Sequence, residues 1–151
     1  ADVLFQNTDS SAVLQPAEKM GKRAFGWDSD MTAYGPKAHL GSAIINWAPY
    51  YIASTRAALE GKWTSGKAWW GVKEGAIDFV SMADDVPADV KKKVEDVKAG
   101  LKDGSYVIWK GPITDNTGKV ALEKDKVADD DFLVGIKFFV KGVEGKVPGA
   151  K

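Results

Sequence analysis

A chain of 151 residues, 44% hydrophobic and 28% charged, is long enough for one globular domain with its own core and far from the composition of disordered or collagen-like chains. Its 21 basic side chains balance 21 acidic ones, so no global charge draws it to nucleic acid or to an anionic membrane surface. The absence of cysteine excludes a disulfide scaffold, a thiol nucleophile, a thiolate zinc site and an iron–sulfur cluster, and the single histidine, His39, excludes a multi-histidine metal site.

The chain opens inside a strand-like run, Val3 to Gln6, with no initiating Met and no basic-then-apolar leader, which predicts a processed or truncated chain. The polar cluster Asn7–Ser11 can cap a helix carrying Val13, Leu14, Ala17 and Met20, with Gly21 as its stop and Pro16 as a kink or restart. Arg23–Trp27 reads as a second strand ending in Asp28-Ser29-Asp30, and Leu40–Ile45 as a third ending in Asn46-Trp47. A helix follows from about Pro49 to Gly61, since proline is tolerated in a first turn. His39 opens an apolar run and is assigned a structural role.

Beyond Gly61 the pattern changes. Ala68–Val80 reads as one or two strands broken by Gly71 and Gly75, and the segment led by Asp84, Asp85 and Pro87 predicts a helix to Gly104 with Val90, Val94, Val97 and Leu101 on one stripe. Its Lys91-Lys92-Lys93 run is a solvated face. Tyr106–Trp109 predicts a strand, Asp115–Lys119 a turn into Val120–Leu122, and Asp129–Asp131 a helix N-terminus ahead of Phe132, Leu133, Ile136, Phe139 and Val140. The three acids lack the spacing of a calcium loop. No run of about 18 apolar residues predicts a membrane span. There is no linker or repeat, and one domain is expected.

Short apolar strands alternating with helices imply a parallel sheet covered on both faces, joined by right-handed crossovers. In such sheets ligands bind beyond the carboxyl ends of the strands. Those ends carry Asn7, then Trp27, Asp28 and Asp30, then Asn46 and Trp47. A flat heterocycle with a rim of donors and acceptors suits such a set: indoles offer stacking surface, amides both donors and acceptors, and a carboxylate acceptors only. Trp63, Trp69, Trp70 and Trp109 are assigned to core or inter-lobe packing. Asp28 and Asp30 are not read as a converging acid–base pair of the glycoside-hydrolase kind. No phosphate loop, dinucleotide fingerprint or Gly-x-Ser-x-Gly elbow is present.

Three stretches together, Asp2–Asp9, Phe25–Met31 and Gly71–Gly75, resemble in order and spacing the second half of the basic membrane protein family, solute-binding proteins of ABC importers related to purine nucleoside receptors. Asn46–Tyr51 and Gly135–Val143 look like the purine-base branch of that family. The resemblance implies an α/β fold of the type I periplasmic-binding-protein kind, in which residues 1–151 form the second, doubly wound lobe and crossover segments, with the first lobe largely absent. It implies a purine base or nucleoside as ligand, an ABC permease and the missing N-terminal lobe as partners, no cofactor, no metal, no catalysis, and a periplasmic or lipid-anchored location. It places Asp28 where the family's Gly-x-Asp-Ser-Asp carboxylate accepts hydrogen bonds from the ligand. Asp30 belongs to the same motif and can instead cap the next turn. Ile45-Asn46-Trp47 stands where many relatives have a lysine, which favours a neutral base. The expected site is Asp28, Trp47, Asn46, Asn7, Trp27 and Asp30; the alternatives are a ligand-sensing receptor domain of the same fold and a carboxylate-using hydrolase.

Overall fold

Short apolar runs alternating with polar turns fold the first hundred residues around a four-stranded sheet. The computed structural model describes residues 1–148, and the chain divides into two compact units, Ala1–Ser105 and Tyr106–Lys151, where one domain was expected.

In the first unit the order is β1 (Val3–Leu4), α1 (Leu14–Lys19), β2 (Arg23–Asp28), a 3-10 turn (Thr32–Tyr34), β3 (His39–Ile45), α2 (Ala48–Leu59), β4 (Ile77–Val80) and α3 (Ala88–Asp103). The strands lie in the order β1-β2-β3-β4; the first three run parallel, while β4 returns antiparallel to β3. The sheet is therefore mixed rather than wholly parallel. A strand reached by a loop from the carboxyl end of β3 has only a short distance to travel if it runs back alongside. Of the expected 68–80 strand region only Ile77–Val80 pairs, and residues 72–75 form a turn.

Pro16 neither kinks nor restarts α1, because it sits in the first turn, where no intrahelical partner awaits its missing N–H. Leu14 and Ala17 project from α1 onto Ala24, Met31 and Ala38, and these five form the buried apolar core, with Leu4 and Val13 packed against it. On the sheet Phe5, Phe25 and Phe79 make an aromatic row across β1, β2 and β4, with successive ring centroids 4.4 and 6.0 Å apart. The stripe on α3 faces this row: Val90 and Val94 line an apolar recess with Phe25, Leu40 and Phe79. Lys98 ties the same helix to β4 by an ion pair with Asp78 at 2.9 Å and a hydrogen bond to the Phe79 carbonyl at 3.0 Å. Gly104 ends α3 in the left-handed conformation, φ 82°. Asp85, expected to help open α3, instead holds Arg23 of β2 in a forked ion pair, and Pro87 occupies the N-cap without a side-chain bond. No residue of α2 is buried.

In the second unit β5 (Ile113–Thr114) and β6 (Val120–Leu122) form the expected hairpin. Its turn is held by Asp115, whose Oδ1 accepts from the Thr117 and Lys119 amides at 2.8 and 2.9 Å. These bonds and the one from the Thr117 hydroxyl pull the Asp115 carboxyl below its ordinary range. Helix α4 (Asp130–Val134) is capped by Asp129, which accepts from the Phe132 amide at 2.8 Å. It stops at Gly135, so Ile136, Phe139 and Val140 lie outside it. Tyr106–Trp109 is not a strand, and these four residues are exposed.

Gly26 is the tightest point of the sheet. A Cβ there would overlap the Ser42 hydroxyl and lie 2.9 Å from the Met31 Cβ, whereas a Cβ at Gly66 meets nothing within 4 Å. Gly26→Ala is expected to cost about 2 kcal/mol by overpacking and Gly66→Ala less than about 0.5 kcal/mol, read as the shift in urea midpoint.

Candidate functional site

Because β1, β2 and β3 are parallel, their carboxyl ends share one edge of the sheet. The chain leaves β1 toward Asn7, β2 ends on Asp28, and β3 delivers Asn46 and Trp47. In the β2–β3 register Trp27 lies opposite Ala43 and Asp28 opposite Ile44, so Asp28 stands two residues short of the level of Asn46 on the adjacent strand. Trp27 and Asp28 alternate across the sheet, with Trp27 half-buried. Asp28 is a non-glycine residue in the left-handed region, φ 71°, at the point where the strand breaks. An aspartate tolerates that conformation better than most residues but still pays for it.

Asn46 is anchored at both ends of its own residue. Its amide donates to the Ala76 carbonyl at 2.7 Å, and its Oδ1 accepts from the Ala48 amide at 3.1 Å at the start of α2. The Nδ2 group remains as a donor at the strand end. Trp47, 55% exposed, stacks on Tyr51 one helical turn later, with centroids 6.0 Å apart and planes at 19°. Tyr50 meets Trp70 edge-on at 5.6 Å. Together Ile45, Asn46, Trp47, Tyr50, Trp70 and Ile77 line a largely apolar cavity of about 440 Å³. Tyr50, Tyr51 and Trp70 were not anticipated. The signal for the tyrosines was the i, i+3 and i, i+4 spacing from Trp47, which puts them beside it on a helix. Trp63 and Trp69 do not fill a core, being 56% and 60% exposed.

Asp30 lies apart from this cavity. Its Oδ1 accepts from both the amide and the hydroxyl of Thr32, at 3.0 and 2.6 Å, and its Oδ2 from the Ser81 hydroxyl at 2.5 Å. Those bonds, the Ser81 one first, hold its carboxyl below the usual carboxylate range. With Arg23, Thr32, His39, Ser81 and Asp85 it lines a separate, shallow concavity. Of the expected set, Trp27 and Asp28 lie at the carboxyl end of β2, Asn46 and Trp47 follow the end of β3 and line the cavity, and Asn7 lies three residues beyond β1; Asp30, exposed, is bonded to Thr32 and Ser81 instead.

His39 is 2% exposed, and its Nε2 lies 2.8 Å from the Oγ of the fully buried Ser42. Burial pushes its pKa down, against the pull of the Asp30 charge.

The family of PnrA-like ABC transporter substrate-binding proteins matches residues 1–108. A purine-binding protein of Brucella abortus is 40% identical over 147 residues, covering 97% of this chain and 42% of the relative. A putative ABC transporter glucose-binding protein of Haloferax volcanii is 28% identical over 148 residues, covering 97% of this chain and 35% of the relative. The chain therefore spans less than half the length of these curated relatives. A crystal structure of a transcriptional activator of the comK gene from Bacillus halodurans matches 70% of this chain and 38% of its own with a TM-score of 0.64 and 20% identity, a likeness of fold.

The buried imidazole sets an acid limit on stability. Its pKa is lower folded than unfolded, so below the unfolded value of about 6.5 the unfolded chain binds the proton first. Stability is expected to be complete above that pH and to decline as pH falls through the folded value, with Asp30 adding a second decline below its ordinary 3.8. Urea midpoints from pH 8 to pH 3 check this; a midpoint flat between pH 7 and pH 5 contradicts it.

Proposed function

The chain belongs to the Bmp family of PnrA-like ABC transporter substrate-binding proteins, and we propose that it supplies the second lobe of a receptor that reversibly captures a purine base or nucleoside and delivers it to a membrane permease. The observation that carries this reading is the shared strand edge, where Asn46 and Trp47 at the end of β3 line an aromatic-walled cavity of about 440 Å³ and Asp28 ends the neighbouring strand β2. The purine-binding protein, the nearer of the two curated relatives in identity, supports the ligand class.

The chemistry follows from the groups available. Trp47, backed by Tyr51, offers a face on which a flat ring stacks; Asp28 accepts hydrogen bonds from ring or exocyclic N–H groups, and the Asn46 Nδ2 donates to a ring nitrogen or carbonyl. Asn7 and Trp27 extend the rim, and Asp30 acts on it from behind. A rim built this way rejects analogues without the matching groups, because its buried polar atoms are then left unpaired. Binding is reversible and involves no bond-making, so no cofactor and no catalytic step enter the reading. The first lobe closes the other side of the cleft, and the whole receptor works outside the cytoplasmic membrane, free in the periplasm or held by a lipid. Among the described residues no helix is long and apolar enough to cross a membrane.

Titration of the full-length protein with adenine, guanine, xanthine, hypoxanthine, urate, nucleosides and glucose tests the ligand class: saturable heat with a purine is expected, and saturation by glucose alone refutes it. Asp28→Ala is expected to lose at least about tenfold in affinity, as for one hydrogen bond to a charged group, and Lys92→Ala less than about twofold. Lys92 lies on the solvated face of α3, paired with Asp96 at 2.7 Å, and equal losses from the two variants contradict the site. Trp47→Ala is expected to weaken purine binding by about tenfold through loss of stacking.

A further inference from the structure

Asp28 holds a left-handed backbone at the end of β2, and a conformation of that kind persists only where its surroundings over-determine it. The residues that follow it are unusually well fixed. The Met31 amide donates to the Ser42 Oγ at 3.1 Å, the Thr32 amide and hydroxyl both donate to Asp30 Oδ1, and the Ser81 hydroxyl reaches Asp30 Oδ2 from the far end of β4. Between these anchors stands His39, with Nε2 2.8 Å from Ser42 Oγ and Nδ1 3.3 Å from Thr32 Oγ1.

The donors assign themselves. Thr32 spends its hydroxyl proton on Asp30, so its oxygen accepts from His39 Nδ1–H; Nε2 is then bare and accepts from the Ser42 hydroxyl, whose oxygen also receives the Met31 amide. Every member is satisfied with a neutral imidazole, and no buried side-chain polar atom lacks a partner among the described residues.

We propose that Asp30, Thr32, His39, Ser42 and Ser81 act as one positioning network that holds the 28–32 turn in the conformation presenting the Asp28 carboxylate to ligand. The proposal rests on the reading of Asp28 as a ligand-binding residue. None of the five touches the ligand; each acts through the turn. Protonation at Nε2 takes the acceptor from the Ser42 hydroxyl, so the network loosens in acid. The charged groups facing the imidazole are Asp30 from the turn, Arg23 from β2, whose Nη2 donates to the His39 carbonyl at 3.2 Å, and Lys37, Asp84 and Asp85 around the same concavity. Arg23 is already paired with Asp85, which leaves Asp30 as the anion nearest the ring through Thr32.

The test uses the full-length protein and the purine panel. Thr32→Val and Ser81→Ala are each expected to weaken purine binding by about tenfold, Thr32→Ser to restore it, and wild-type affinity to hold from pH 7.5 to about 6.5 and to fall only below it, while His39→Gln shows no such fall. Amide hydrogen exchange at Met31 and Thr32 is expected to speed up in Thr32→Val and Ser81→Ala without ligand. Wild-type affinity in both of those variants, while Asp28→Ala loses binding, overturns the positioning role and leaves the purine reading standing. A lowered melting temperature with unchanged affinity, or unchanged amide exchange, overturns it equally. A wild-type protein that binds no purine overturns the ligand reading and this proposal with it.

Discussion

Gly26 and Ser42 stand so close that no methyl group fits between them, and the candidate site depends on that contact. Parallel neighbours ordinarily need a crossover of a dozen or more residues. Here β2 and β3 are joined by residues 29–38 alone, which return along the sheet through one 3-10 turn. So short a return is possible because its underside is small: Gly26 and Ala24 on β2 and Ser42 on β3 let Met31 settle into the core. The Ser42 hydroxyl then does for the Met31 amide what a longer helix would have done with its own carbonyls.

From that packing the carboxyl edge takes its form. The return fixes where β3 begins, and the register sets Asp28 opposite Ile44. Asn46 closes the strand by bonding to the start of α2, which turns Trp47 outward to be backed by Tyr51. Polar and aromatic groups thus reach the edge from separate strands, on a scaffold whose buried apolar side chains come mostly from α1 and the β2–β3 return.

Much of this was legible in the chain. The three parallel strands, α2 and α3 followed from runs of apolar residues and their stops, because periodicity and turn chemistry are local. Two segments misled for one reason. Trp69-Trp70 and Tyr106–Trp109 are rich in strand formers, yet neither is paired along its length, Trp109 alone accepting from the Ala128 amide, and strand propensity describes fitness for a paired surface rather than a backbone preference. The strand-end residues Asp28, Asn46 and Trp47 were visible as polar and aromatic punctuation. The bond from Ser81 to Asp30 crosses 51 positions, and nothing in either neighbourhood announces it. His39 was legible as structural, but its partners Ser42 and Thr32 become meaningful only once the return has folded.

The left-handed aspartate at the end of β2 carries a consequence for how such a chain evolves. A glycine would adopt the same backbone without steric cost and would stabilise the turn, but it would bring no carboxylate. On the proposed reading, position 28 therefore sets durability against recognition, and selection for thermal robustness alone would drift toward a sturdier molecule blind to its cargo.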